Sequence, residues 1–313
     1  MFFMVGSFLL GLVLLLIGSH QMVKEAVNIA KSFGVSSFIV GTFLVGFGTS
    51  IPELLVSANA IWYGAVDISV GNAIGSYISN IGLVLGFTAV IRPVVMPPTT
   101  ISQELPLLFI ALIVTIFLVV DGYLSGTDGY IMLVLFAIFT LITLFNSPLN
   151  TQPSTTRPLR PLTLCWQCLM FLFFLSMLLI GSDMMVNAAI DLAKYFNISE
   201  LVVGLSMVAV GTSLPELATA LMSIVHEEDD LCVGNIIGSN IFCLLGILPL
   251  PVLIDVHSIS TENLWREFSV MIVMTMLFWI FAAKFDDDKR IISRLEGSVL
   301  LLAFFAYITS LFV

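Results

Sequence analysis

The 313-residue chain is 59% hydrophobic and only 10% charged, with a mean hydropathy of +1.10, which excludes a soluble globular domain, a disordered chain and a coiled coil. Its formal charge of −10 argues against a nucleic-acid partner, and four cysteines are too few to staple a disulfide-built domain of this length. Such a chain is expected to live in a lipid bilayer.

Apolar stretches able to cross about 30 Å of hydrocarbon, at roughly 20 residues each, run over 2–21, 37–61, 69–91, 105–120, 129–146, 162–182, 201–225, 231–255, 268–283 and 295–312. They predict an all-α integral membrane protein of ten transmembrane helices. The opening stretch has no basic residue before it and no small-residue cleavage site, so it is expected to remain a span. The second holds Gly46-Phe-Gly-Thr-Ser-Ile-Pro-Glu53, and the third holds Asn72, Ser76 and Asn80 at spacings of four. A polar, proline-broken segment from Asn146 to Pro161 follows the fifth span and reads as a linker. Cys165 and Cys168 imitate a redox motif but open a membrane span, so they are assigned no chemistry. The seventh span holds Ala209-Val-Gly-Thr-Ser-Leu-Pro-Glu216, and the eighth holds Asn235, Ser239 and Cys243. Between them, His226 to Asp230 reads as a solvated charge run, as do Asp286 to Asp288, while Asp67 and Asp230 are expected to cap the helices they precede.

Basic residues set the orientation. With the amino terminus outside, Lys24, Lys31, Arg92, Arg157, Arg160, Lys284, Lys289, Arg290 and Arg294 fall inside, against Lys194 and Arg266 outside. Both termini are therefore expected to be exterior or periplasmic, and the linker cytoplasmic.

A shift of 163 residues superposes Gly41 on Gly204, Thr49 on Thr212, Pro52 on Pro215, Glu53 on Glu216, Gly71 on Gly234 and Ser76 on Ser239 without a gap. It also pairs Gly18-Ser19 with Gly181-Ser182 and Ala30-Lys31 with Ala193-Lys194. The chain thus divides into a first five-helix repeat at 1–150, a cytoplasmic linker at 151–161 and a second five-helix repeat at 162–313. Because five is odd, the second copy enters from the opposite side, so the repeats are inverted, as in secondary transporters with a midplane site.

A carboxylate at the centre of a span costs roughly 2.5 to 3.5 kcal/mol on insertion scales, and here the cost recurs at matched positions. No Lys or Arg lies inside a predicted span, so a metal cation or a proton is the natural counter-charge. Thr49 and Ser50 precede Glu53 by four and three residues and share its helix face, and Thr212, Ser213 and Glu216 repeat the pattern. Pro52 and Pro215 donate no backbone hydrogen bond, which frees the carbonyls of Gly48 and Gly211. Carboxylate, hydroxyl, amide and carbonyl oxygens suit calcium or sodium and not zinc or copper. Asn72 and Asn235 are assigned the structural role usual for amides in membrane helices, and Gly71 with Gly75, like Gly234 with Gly238, forms a small-residue face for close packing.

The duplicated Gly-Thr-Ser-Ile/Leu-Pro-Glu motifs, each followed by Gly-Asn-x-Ile-Gly-Ser, resemble the two alpha repeats of the cation/calcium exchanger superfamily, in its bacterial sodium/calcium antiporter branch. The resemblance covers essentially the whole chain. It implies ten helices, calcium and sodium bound alternately at Glu53, Glu216, Thr49, Ser50, Thr212, Ser213, Ser76, Asn80 and Ser239, and first and sixth helices that slide across the remaining bundle. The transported ions and the bilayer are then the partners, with no cofactor and no enzymatic chemistry, in a bacterial inner membrane. One position departs from the pattern: Cys243 stands where the second repeat of the family usually carries aspartate or asparagine, opposite Asn80. That keeps a calcium/proton antiporter as the alternative. An intramembrane hydrolase is remote, because no histidine lies in the glutamate-bearing spans.

Overall fold

The computed structural model describes residues 2–64, 66–97, 99–146, 161–195, 211–254, 259–260, 265–283, 285–286 and 289–311. The linker from 147 to 160, the first part of the predicted 201–225 span, and the orientation residues Arg157, Arg160 and Lys284 lie outside them.

The chain opens with α1 (Phe2–Phe33), α2 (Ser37–Thr49) and α3 (Ile51–Trp62), followed by α4 (Val66–Ile91), α5 (Thr100–Leu118) and α6 (Gly126–Asn146). Then come α7 (Pro161–Tyr195), α8 (Leu214–Val225), α9 (Asp229–Ile254), α10 (Trp265–Ala283) and α11 (Arg294–Ser310). Seven of these helices are long and apolar enough to span a bilayer, and an eighth span arises if α2 and α3, bent by 41°, count as one. Among the described residues, sheet is confined to short antiparallel pairings: β1 (Val94–Val95) with β5 (Lys289–Ile292), β4 (Phe285–Asp286) with β5, and β2 (Tyr123–Leu124) with β3 (Ile259–Ser260).

Three expectations need correction. Helices α1 and α7 run well past the predicted spans 2–21 and 162–182, because helix formation does not stop where hydrocarbon ends: the polar turns from Lys24 to Lys31 stay helical. Asp67 and Asp230 lie inside the first turns of α4 and α9 and do not cap them; Glu228 holds the cap position of α9. Acidic residues there face the positive end of the helix dipole without needing cap geometry. The Gly211 carbonyl is not open, since Ser182 of α7 donates to it at 3.3 Å.

The 163-residue shift carries α3 onto α8 and α4 onto α9 with identical bounds. It also brings the wide-turn stretch Asn80–Leu85 of α4 to within a residue of its counterpart Phe242–Ile247 in α9. Such π-type stretches turn side chains off the regular helical register and are common at functional sites.

The buried apolar side chains form one large and two smaller clusters among the described residues. A large apolar cluster joins α4, α5, α9, α10 and α11 through residues such as Tyr77, Leu108, Ile237, Phe278 and Phe304. A separate cluster gathers Met22, Val23, Ala26, Val40, Phe171, Leu175 and Leu178 around α1, α2 and α7. Helices α1 and α7 meet backbone to backbone: a Cβ on Gly11 would stand 2.7 Å from the Gly181 carbonyl oxygen, and one on Gly181 2.6 Å from the Leu15 nitrogen. Only glycine permits that approach.

Candidate ion-binding site

Each glutamate stands just after a break in its helix. Ser50, at φ −84° and ψ 10°, separates α2 from α3, and Ser213, at φ −85° and ψ 3°, precedes α8. The cause is local: Pro52 and Pro215 sit in the first turn of the new helix, where their missing N–H costs nothing and their fixed φ favours helix initiation. The interruption sets Glu53 and Glu216 one residue further on, in a first turn, where the dipole favours a negative group.

Both glutamates are buried, at 0% and 1% exposure. Their charges are close enough to act on one another. Ser50 donates to Glu216 Oε1 at 3.0 Å across the two halves, and Thr212 turns its hydroxyl toward Glu53. A hydroxyl of each half thus lies near the carboxylate of the other, although only the Ser50 contact has hydrogen-bond geometry. Among the described residues neither glutamate pairs with a lysine or arginine, and both Glu53 oxygens and Glu216 Oε2 have no hydrogen bond of normal geometry.

The surrounding predicted residues are buried in the same core. Thr49 donates to the Gly46 carbonyl or to Asn235 Oδ1, each at 3.3 Å, and Ser239 donates to Gly46 at 3.1 Å. The Ser76 hydroxyl and Asn80 Oδ1 are buried without a hydrogen-bond partner. Ser213 is fully buried at the helix break. Cys243 is also fully buried and lies within electrostatic reach of both glutamates. Asn72 bonds the Glu53 carbonyl at 2.9 Å and the Ser57 hydroxyl at 3.0 Å, a positioning contact that holds the first turn of α3.

One residue escaped the motif reading. Asn240 is fully buried and neither atom of its amide is hydrogen-bonded. An uncompensated buried amide costs on the order of 2 kcal/mol or more, which marks it as a group set aside for some purpose. Its signal was an amide inside an apolar span, but the repeat hid it, because Tyr77 occupies the matching position and bonds Thr275 at 2.8 Å instead.

The donors are oxygens, buried in an apolar bundle, carrying two carboxylates and several unpartnered lone pairs. That set suits a hard cation, calcium or sodium, and offers no cluster of histidine, cysteine and carboxylate for a transition metal among the described residues. Fold and site together define a membrane cation transporter.

The chain matches the family described as sodium/calcium exchanger protein over residues 3–145 and 166–313, and it belongs to that family. It is 35% identical to inner membrane protein YrbG of Escherichia coli K12 over 282 residues, 86% of each chain. It is 30% identical to sodium/calcium exchanger MaX1 of Methanosarcina acetivorans, covering 97% of each. Its fold superposes on the sodium-calcium exchanger NCX_Mj, from a crystal soaked with sodium and calcium, with a TM-score of 0.85 at 34% identity, covering 99% of this chain and 98% of that one. The protein is a transporter, not an enzyme, as its family is.

Proposed function

We propose that the protein exchanges calcium for sodium across the membrane by alternating access, binding both at Glu53, Glu216, Thr49, Ser50, Thr212, Ser213, Ser76, Asn80 and Ser239. The observation that carries this reading is the pair of buried carboxylates that no basic side chain neutralises among the described residues. Their combined charge of −2 balances one calcium ion. A loaded site is electrically quiet and free to change access, whereas an empty one leaves buried charge that opposes the move. Calcium and sodium compete for the same oxygens, and that competition couples their gradients.

In this reading the chain forms ten spans as two inverted five-helix repeats, 1–150 and 162–313, joined by a cytoplasmic linker at 151–161, with both termini on the exterior of a bacterial inner membrane. Helices α1 and α7 slide as one body over the rest; their glycine-lined seam supports this. The helix break at Ser50 places the reciprocal hydroxyl where a change in ion occupancy reaches both halves.

A second reading, calcium/proton exchange, is favoured by one observation: Cys243 offers a thiol where Asn80 offers an amide oxygen, which removes a hard ligand from one corner. Calcium-45 flux into proteoliposomes under a sodium gradient or a pH gradient separates the two. Sodium-driven flux is expected, and flux that needs only the pH gradient replaces sodium by protons. Glu53→Gln and Glu216→Gln each remove a charge from a buried charged pair, a loss of about 2 to 5 kcal/mol, and should lower exchange by about 30-fold or more. Parental rates in both variants would remove these residues from the site.

A further inference from the structure

At one edge of the bundle, the turn between α8 and α9 is tied to three separate elements of the first half. Arg92, just past α4, donates to the Ile224 carbonyl and pairs with Asp229 at 3.5 Å. Ser37, at the start of α2, donates to Glu228 at 3.0 Å. His226, the residue that ends α8, faces His20 of α1, with Nε2 of the first 3.1 Å from Nδ1 of the second and the ring centroids 4.5 Å apart. Two of the three histidines of the chain are spent on this one contact.

The third tie differs from the other two in what it connects. Helix α1 packs chiefly on α7 and, through Leu15 near Ala218, on α8; among the described residues its other side-chain hydrogen bond to a different helix, Ser32 to Gln167, is to α7. The histidine contact instead fastens α1 to a helix that carries a site glutamate. Few other charges reach it. Lys24 lies one turn further along α1 and acts on His20, and Glu25 follows it. On the turn stand Glu227 and the Glu228 already bonded to Ser37; Asp229 is paired with Arg92. The facing stretch of α7, Phe171 to Leu178, has no ionisable side chain, nor does α2, and Glu216 of α8 is ten residues away, about 15 Å along the helix.

Two imidazoles in this geometry share a single hydrogen: one nitrogen donates and the other accepts. With one ring protonated, the imidazolium still donates to its neutral partner; only when both rings are protonated do both facing nitrogens become donors, with two positive charges set against each other beside the ammonium of Lys24. Histidine gains that charge in the physiological pH range. We propose that His20 and His226 form a proton-sensitive latch, which holds α1 against the α8–α9 turn near neutral pH and releases it on acidification. The inference rests on the reading of α1 as a moving helix, since only then does the release change access. It makes exchange responsive to pH on the side of the membrane where the latch lies, independently of protons competing for the glutamates.

The test is a spin-label distance between Ile17→Cys on α1 and Val225→Cys at the end of α8, both exposed positions, in a chain whose accessible cysteines carry Cys165→Ser and Cys168→Ser. On going from about pH 8 to about pH 5.5 the distance should lengthen by roughly a helical turn, ~5 Å. His226→Gln, which keeps a neutral partner, should hold the short distance throughout, and His226→Lys, whose ammonium can donate to His20 only while that ring is neutral, should show the short distance at the higher pH and the long one at the lower. No lengthening in the parent, the same lengthening in His226→Gln, or a short distance in His226→Lys at the lower pH would each overturn the latch. The distance is read without any ion gradient, so its failure leaves sodium/calcium exchange standing. Loss of exchange in Glu53→Gln with the pH-dependent distance intact leaves the latch standing.

Discussion

Under the 163-residue shift Trp62, Tyr63 and Gly64 correspond to Val225, His226 and Glu227, yet the two turns are built differently. In the first, Trp62 and Tyr63 are 85% and 83% exposed, and Gly64 takes φ +72° without strain. In the second, His226 faces α1, its neighbours Glu228 and Asp229 are tied to α2 and to Arg92 past α4, and Glu227 is forced to φ +61°, where a Cβ is unwelcome. Near the glutamates the halves instead repeat one another, down to the helix breaks at Ser50 and Ser213 and a hydroxyl of each half set near the carboxylate of the other. The contrast separates two demands. On the proposed exchange reading, an ion that passes between equivalent half-sites would keep the centre alike, while a latch needed on one side only would let the edges diverge.

The comparison can be broken at three strengths. The strongest lever is Gly238, on the face of α9 against α2, where a Cβ would stand 2.2 Å from the Thr42 carbonyl oxygen and 2.7 Å from its Cα. Gly238→Ala must push backbone apart and should cost about 3 kcal/mol, seen as a lower melting temperature in detergent together with lost exchange. An unchanged melting temperature would mean that the halves do not depend on this close seam. Ser50→Ala acts next, by removing the 3.0 Å bond to Glu216 while leaving both carboxylates in place. A hydrogen bond to a charged acceptor is worth about 1.5 to 3 kcal/mol, so apparent calcium affinity should fall by about tenfold or more, with sodium competition still present. An unaltered half-saturation would show that the reciprocal hydroxyl is packing alone. The smallest effect belongs to the edge. Glu227→Gly relieves the left-handed backbone and should raise stability by about 1 kcal/mol in thermal unfolding with exchange unaffected. A loss of stability there would show that the Glu227 side chain supports the turn more than its backbone strains it.

Much of the candidate site could be read from the chain because a carboxylate in hydrocarbon is costly and a cost repeated at a fixed interval is not chance. Glu53, Glu216 and their flanking hydroxyls announce themselves in that way. The helix breaks were foreshadowed by Pro52 and Pro215, whose chemistry acts within a single turn. What was misjudged was non-local. The Gly211 carbonyl, free by local rules, is taken by Ser182 from another helix, and α1 and α7 extend beyond the apolar stretches because the helix persists through polar turns.

Composition and periodicity alone therefore determined that this chain enters a bilayer, that it is built twice over, and which acidic groups lie deepest, because burial energy and repeat spacing are written in residue order. Only the tertiary structure decided that Ser50 serves the glutamate of the opposite half, that Asn240 is left unpaired, and that His20 meets His226 across 206 residues. Those facts depend on which helix faces which, and that follows from glycine contacts and close packing summed over the whole bundle, which no local stretch of sequence encodes.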